Sequence, residues 1–216
     1  DRIVLADAPG WRIGSPAELE KPPVRQILAE NRAGDADAAL ASQYAALIVP
    51  YGAEGSPVVA ARLLENDPDT GALAVEVKLA GRTDYIISTL DCQQRQYGPV
   101  ATAGQFAFVS VDDRGRAVQA YLLNGTHLEC GDLRIALPQP NTILKVRSVA
   151  GRTFHLAEPL PPLLAVRGSY LLAGQPLRTG FEVESAAVDT IAVRDYPAIS
   201  CDEVTVLNSR WLRIEP

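Results

Sequence analysis

Histidine is nearly absent from this chain. Only His127 and His155 occur in 216 residues, which excludes a histidine-rich metal centre. Cysteine is almost as scarce. Cys92, Cys130 and Cys201 form an odd set with no CxxC pair. They leave room for at most one disulfide and lack the closely spaced thiols of a structural zinc site. The simplest reading is three small, semi-buried side chains. Methionine is missing altogether. A complete translation product carries an initiator Met, so we expect a mature or processed chain, or a part of a longer one, with any signal peptide removed. No apolar run approaches the roughly 18 residues of a membrane-spanning helix, so no membrane span is expected. GxGxxG, phosphate-loop, GxSxG, HExxH and EF-hand patterns are all missing, which argues against a nucleotide-binding α/β enzyme. No cofactor and no metal are expected, although carboxylates at Asp67, Asp69, Asp112, Asp113, Asp132 and Glu129 leave magnesium or calcium open.

Basic charge is also in short supply. The formal net charge is −6. Nucleic acid and anionic membranes reward basic surfaces, so neither is an expected partner. Whether Arg12, Arg25, Arg95, Arg114, Arg116, Arg134, Arg147 and Arg152 gather into a local basic groove is left open by the sequence. Aromatic residues make up 6% of the chain, which counts against a binding module that relies on an exposed aromatic platform.

What the sequence does have is a long series of short apolar segments. Leu73–Leu79 alternates with period two, and Gly81-Arg82 turns it into Thr83–Ser88, a hairpin pattern. Gln105–Val111 and Ala117–Leu123 flank Asp112-Asp113-Arg114-Gly115. Asn124-Gly125 reads as a second tight turn, followed by strands at Thr126–Leu128, Leu133–Leu137, Ile143–Val149 and Thr153–Leu156. Further strands are expected at Tyr44–Val49, Val58–Leu64, Leu163–Val166, Ser169–Leu172, Thr179–Val183, Thr190–Val193, Glu203–Leu207 and Trp211–Ile214. Strands at roughly ten-residue spacing are too close for βαβ units and point to an all-β, antiparallel β-sandwich, built as one body or as two stacked subdomains. The one helix pattern lies within 24–43, where Val24, Ile27 and Leu28 share a helical face. The expected organisation is an N-terminal arm and short helix over 1–43, an antiparallel β domain over 44–137, and a second β portion over 138–216. That second portion either has its own core or shares the first.

The recurring form strand, Gly-Arg, strand, at Gly81-Arg82, Gly115-Arg116 and Gly151-Arg152, reads as repeated hairpin geometry. Asp67/Asp69 and Asp112/Asp113 read as turn chemistry. The segment Asp91-Cys92-Gln93-Gln94-Arg95-Gln96-Tyr97 concentrates polar groups in a loop after a clear strand. Gln94 and Arg95 suit a carboxylate or a sugar hydroxyl, and Tyr97 suits stacking on a sugar or moving a proton. Histidine as a residue type changes charge near neutral pH, which makes His127 the candidate acid or base. Gln94, Arg95, Tyr97 and His127 are therefore the candidate substrate-binding residues, and no catalytic residue is assigned. Trp11 and Trp211 are expected in the core.

Several strings carry a family resemblance: Leu47-Ile48-Val49-Pro50, Pro57-Val58-Val59, Arg82-Thr83-Asp84-Tyr85-Ile86, Tyr121-Leu122-Leu123-Asn124-Gly125, and Ala6-Asp7-Ala8-Pro9-Gly10-Trp11-Arg12 at the start. Over about half the chain this layout resembles the C-terminal β-sandwich region of heparinase II/III-like polysaccharide lyases. The resemblance implies a preceding helical toroid, and a cleft where an acidic polysaccharide undergoes β-elimination by a tyrosine and a histidine. It matches neither of those two residues to a position here. On this reading the chain is the β-sandwich module of a larger, exported carbohydrate-active enzyme. It would be periplasmic or secreted, bind a polysaccharide or oligosaccharide, need its helical domain or a partner chain, and not be catalytic alone. The competing readings are a stand-alone carbohydrate-binding module, with Tyr44, Tyr51, Tyr85, Tyr97 and Tyr121 as its aromatics, and an assembly domain docking through the 24–43 segment.

Overall fold

A computed structural model describes residues 2–8, 24–30, 43–49, 53–161, 169–174 and 178–214. The described strands pair antiparallel throughout, and the fold class is all-β. The chain divides into Asp1–Tyr44 and Ala45–Pro216.

In the first unit, strand β1 (Arg2–Ala8) pairs with β2 (Val24–Glu30) along all seven residues, from Arg2 opposite Glu30 to Ala8 opposite Val24. The helix expected over 24–43 is therefore corrected for Val24–Glu30, and residues 31–42 lie outside the described residues. Helices shorter than about 12 residues are marginal by themselves. A seven-residue segment with a full-length strand partner gains a ladder instead.

The second unit holds two hydrophobic cores. The first belongs to an eight-stranded sheet. Its strands are β3 (Val58–Asp67), β4 (Ala72–Leu79), β5 (Arg82–Ser88), β6 (Arg95–Tyr97), β7 (Val100–Asp112), β8 (Ala117–Cys130), β9 (Leu133–Ala136) and β16 (Ser209–Arg213). Their spatial order is β16-β8-β7-β5-β4-β3, with β6 added to β7 and β9 to β8. Two expectations change here. Residues 43–49 are not a strand and pair with none of the described strands, so the sheet ends at β3. Asn124-Gly125 is not a turn either. It lies inside the 14-residue β8, which stays paired with β7 on both sides of it. The strand expected at Leu163–Val166 lies outside the described residues.

At Asn124-Gly125 the long hairpin bends. The register shifts between Ala103 and Gly104, Gly104 faces Gly125, and Asn124 takes φ of 48°. A Cβ on Gly125 would lie 2.5 Å from both the Ala103 carbonyl oxygen and the Gly104 Cα. Only glycine allows the two backbones to approach this closely. Tyr97, Val100, Leu128, Cys130, Leu133 and Ile135 lie on one side of the bend, and Ala74, Tyr85, Ile87, Ala107, Val109, Ala120 and Leu122 on the other. All belong to one core cluster, so the sheet folds over on itself.

The second core fills a closed barrel of β10 (Asn141–Ala150), β11 (Thr153–Leu156), β12 (Tyr170–Ala173), β13 (Thr179–Ala187), β14 (Thr190–Val193) and β15 (Glu203–Leu207), ordered β10-β11-β14-β13-β12-β15. Each strand points two alternating residues inward: Leu144 and Val146, Phe154 and Leu156, Leu171 and Ala173, Phe181 and Val183, Ile191 and Val193, Val204 and Val206. The period-two pattern thus fills the interior, and closure leaves no strand edge. Ion pairs decorate the outside, among them Lys145–Glu203 at 2.9 Å and Arg194–Glu182 at 2.7 Å.

One residue, Asn208, separates barrel strand β15 from sheet strand β16. Its carbonyl accepts from the Asn124 N–H at 2.8 Å, and its own N–H donates to the Pro140 carbonyl at 2.9 Å. Asn124 continues the junction. Its side-chain amide donates to Gln105 Oε1 at 2.6 Å, and its Oδ1 accepts from Asn141 at 3.0 Å. The bend in β8 and the passage to the barrel are thus tied by one buried amide. The same amide lies in the Asn-Gly-Thr string that formally matches a glycosylation acceptor, and it is occupied inside the fold. Among the described residues, no helix is long and apolar enough to cross a membrane.

Candidate functional site

The polar segment after β5 is more ordered than its composition suggests. Arg95–Tyr97 is strand β6, not loop, because it pairs with Val100–Thr102. Both carboxylate oxygens of Asp91 accept from the Arg95 guanidinium, Oδ2 from NH2 at 3.0 Å. Asp91 Oδ1 also accepts the Gln93 N–H at 3.1 Å. The Arg95 bond first, and the Gln93 N–H second, hold the Asp91 carboxyl down from 3.8 to about 2. Arg95 thus has a fixed internal partner at the position where a ligand carboxylate was expected to sit.

Tyr97 is buried, at 5% exposure, and its hydroxyl has no hydrogen-bond partner. Burial pushes its pKa up. Gln94 is exposed. His127 is half-buried, with Nε2 3.5 Å from Glu129 Oε2. Register separates these residues. Arg95 pairs with Thr102, and Thr102 with Leu128, whereas His127 pairs with Ala103. Directly paired residues share a face and successive residues alternate. Arg95 and Tyr97 therefore lie on the core side, and His127 lies on the opposite face.

The turn readings hold in the structure. Asp67 accepts the Asp69 N–H at 3.0 Å and the Thr70 hydroxyl at 2.7 Å. Asp112 accepts the N–H groups of Arg114 and Arg116 at 3.0 and 2.9 Å. The glycines of the three Gly-Arg turns have φ of 81°, 78° and 58°. Among the described residues, no three His, Cys, Asp or Glu side chains converge as a metal site. Cys92, Cys130 and Cys201 are free thiols, each with its pKa raised chiefly by burial. Such thiols stay protonated and unreactive at neutral pH.

A different group of side chains comes together on the outward face of the sheet. Pairing carries one row across six strands: Leu63, Val75, Ile86, Phe108, Tyr121 and Trp211. Phe108 and Trp211 lie nearly parallel, 4° apart with centroids at 6.4 Å, and Tyr121 tilts against Trp211 at 5.7 Å. Phe106 joins through Tyr121 at 6.1 Å. Trp211 is 52% exposed, which corrects its expected place in the core, while Trp11 lies outside the described residues. It is displaced because its neighbour Leu212 takes the inward position and packs on the core. Of the other proposed aromatics, Tyr85 and Tyr97 are buried, Tyr44 is exposed, and Tyr51 lies outside the described residues. Period two at Phe106/Phe108, Tyr121/Leu123 and Ser209/Trp211 was the signal for the row. Its assembly needed the strand order.

Fold and site together define an antiparallel β protein in which a folded sheet, aromatic on its outward face, is joined to a closed six-stranded barrel. No protein-family model matches the chain, and no curated protein matches it.

Proposed function

We propose that this chain is the β-sandwich module of a larger carbohydrate-active enzyme that acts on an acidic polysaccharide by β-elimination, and that it is not catalytic alone. The observation that carries the reading is the apolar row from Leu63 to Trp211 on the face opposite the sheet's core. Strands apolar on both faces suit a sheet layered on both sides. Such a sheet fits a module built to work against more polypeptide than its own core. The engagement of Arg95 by Asp91 and the sealed Tyr97 hydroxyl favour catalysis by groups outside this module. The reading keeps an exported setting, periplasmic or secreted.

The second reading, a carbohydrate-binding module, draws on a specific observation. Phe106, Phe108, Tyr121 and Trp211 place several aromatics on one face, as such a module requires. The assembly-domain reading loses its helical docking element at Val24–Glu30 but keeps the apolar row.

The test is the natural full-length polypeptide incubated with uronate polysaccharides, following the ultraviolet absorbance of the unsaturated uronate that β-elimination creates. The expected result is product from the full polypeptide and none from this chain. A natural polypeptide no longer than this chain, or a full polypeptide that yields no unsaturated product from any uronate polymer, sinks the lyase reading.

A further inference from the structure

Trp211 stands on β16, the outermost strand at one side of the sheet. The indole is 52% exposed, and Phe108 and Tyr121 support it from within the sheet. Arg213 lies two residues further along the same face, roughly 7 Å away on an extended strand. Across β8, Tyr121 faces Trp211 and Gln119 faces Arg213. Arg210 is exposed on the same strand and points to the other face.

Many arginines of this chain are already committed. Arg62, Arg82, Arg95, Arg116, Arg147, Arg152 and Arg194 each hold a carboxylate. Among the described residues, Arg210 and Arg213 are in no ion pair. On the indole's own face, Arg213 thus offers a guanidinium that is in no ion pair among the described residues, in a protein of net charge −6. At the other end of Trp211, the Ser209 hydroxyl lies 3.0 Å from that of Ser169, which is fully buried.

We propose that the β16 edge is a binding site for a sugar chain bearing carboxylates, with a pyranose face stacked on Trp211 and a carboxylate held by Arg213. The proposal deepens the carbohydrate reading above and rests on it. Each part of the ligand has its counterpart. An apolar ring face matches an exposed aromatic plane, ring hydroxyls match the Gln119 side chain beside Arg213, and the carboxylate matches an arginine with no carboxylate partner among the described residues. The aliphatic half of the row offers no ring for stacking. In the row beside it, Val77, Asp84 and Ser110 are buried, so the site is confined to the β8–β16 edge.

The experiment is calorimetric titration of the whole chain with oligogalacturonate, oligoalginate and hyaluronan fragments. Carboxyl-reduced, neutral versions of the same oligosaccharides and phosphatidylglycerol vesicles are run alongside. At least one acidic oligosaccharide is expected to bind. Arg213→Gln should weaken it about tenfold and remove the preference over the neutral version, and Trp211→Ala should weaken both versions by about tenfold or more. Trp211→Tyr should retain part of the affinity, which separates loss of stacking from loss of fold. Arg134→Gln, on β9 and away from this edge, should bind as the parent does. Absence of binding across the three acidic probes, unchanged affinity in Trp211→Ala and Arg213→Gln, or equal dependence of vesicle binding on both residues would overturn the proposal. Binding with these dependences, combined with no unsaturated product from the full-length polypeptide, would remove the lyase reading and leave the site. Product without binding would do the reverse.

Discussion

The folded sheet and the barrel are built from similar residues and solve burial in different ways. The barrel closes on itself, takes two apolar residues from each strand, and keeps its charges outside in pairs such as Arg194–Glu182. The sheet has two edges and a bend, and polar groups enter its buried positions. Among the described residues of Ala45–Pro216, the buried side-chain atoms without a hydrogen-bond partner are Asp84 Oδ1, Tyr97 OH and Ser110 Oγ, all in the sheet, and Asn208 Oδ1 at the junction. Leaving such a group unpaired costs about 1–3 kcal/mol. The described strands of the barrel carry no such cost. The difference points to the barrel as the scaffold and to the sheet, with its bend, edges and aromatic face, as the part shaped by something other than stability.

The largest effects should come from emptying each core. Phe154 is fully buried against Phe181 in the barrel, and Phe154→Ala should cost about 3–5 kcal/mol. Leu122→Ala, fully buried in the sheet, should cost about 2–5 kcal/mol. Denaturant unfolding followed by separate reporters in each core would sharpen the comparison. Two distinct transitions would mark independent units, and one shared transition would mark a cooperative whole.

Asn124→Ala tests the joint between them. It removes the bonds to Gln105 and Asn141 and places alanine at φ of 48°. The expected loss is about 2–3 kcal/mol, together with separation of the two transitions. Unchanged unfolding in this variant would remove Asn124 from its coupling role.

Tyr97→Phe should go the other way. The hydroxyl is buried without a partner, so its removal should be neutral or stabilising by up to about 1 kcal/mol in a urea titration. A clear destabilisation would mean that the hydroxyl has a partner after all, such as a buried water.

The smallest effect is expected from Asp91. Its carboxyl titrates at about 2 in the fold against 3.8 ordinarily. A depressed carboxylate contributes stability that is present above the ordinary value and lost as pH falls through the folded value. Asp91→Asn should therefore lower stability modestly at neutral pH, flatten the acid limb of the stability profile between 3.8 and about 2, and match the parent below that range. The pair is exposed enough for salt to weaken the difference, which gives a second check.

Much of the strand pattern could be read directly. The alternation along Leu73–Leu79 is local, and so are the Gly-Arg turns, since a glycine with positive φ marks its own position. Leu73–Leu79 and Thr83–Ser88 accordingly appear within β4 and β5. Asn124-Gly125 misled because the same dipeptide serves a tight turn and a bend inside a strand. The choice depends on whether Gly104 lies opposite, one strand earlier in the chain. Val24–Glu30 misled because short apolar spacing fits a helix until a strand partner is known.

The candidate site was less legible. Arg95 and Tyr97 were recognised as chemistry-bearing groups, but the Asp91 pair and the depth of Tyr97 belong to the folded state. The aromatic row draws on β7, β8 and β16, the last of which joins the sheet only after the chain has traversed the whole barrel. Composition, alternation and turn chemistry by themselves determined an all-β antiparallel chain, because those signals act over a few residues. Tertiary structure decided which strands become neighbours, that one set closes into a barrel while the other bends, and that Trp211 meets Tyr121 and Phe108. Those outcomes depend on pairing between segments far apart in sequence, and local residue preferences do not encode that choice.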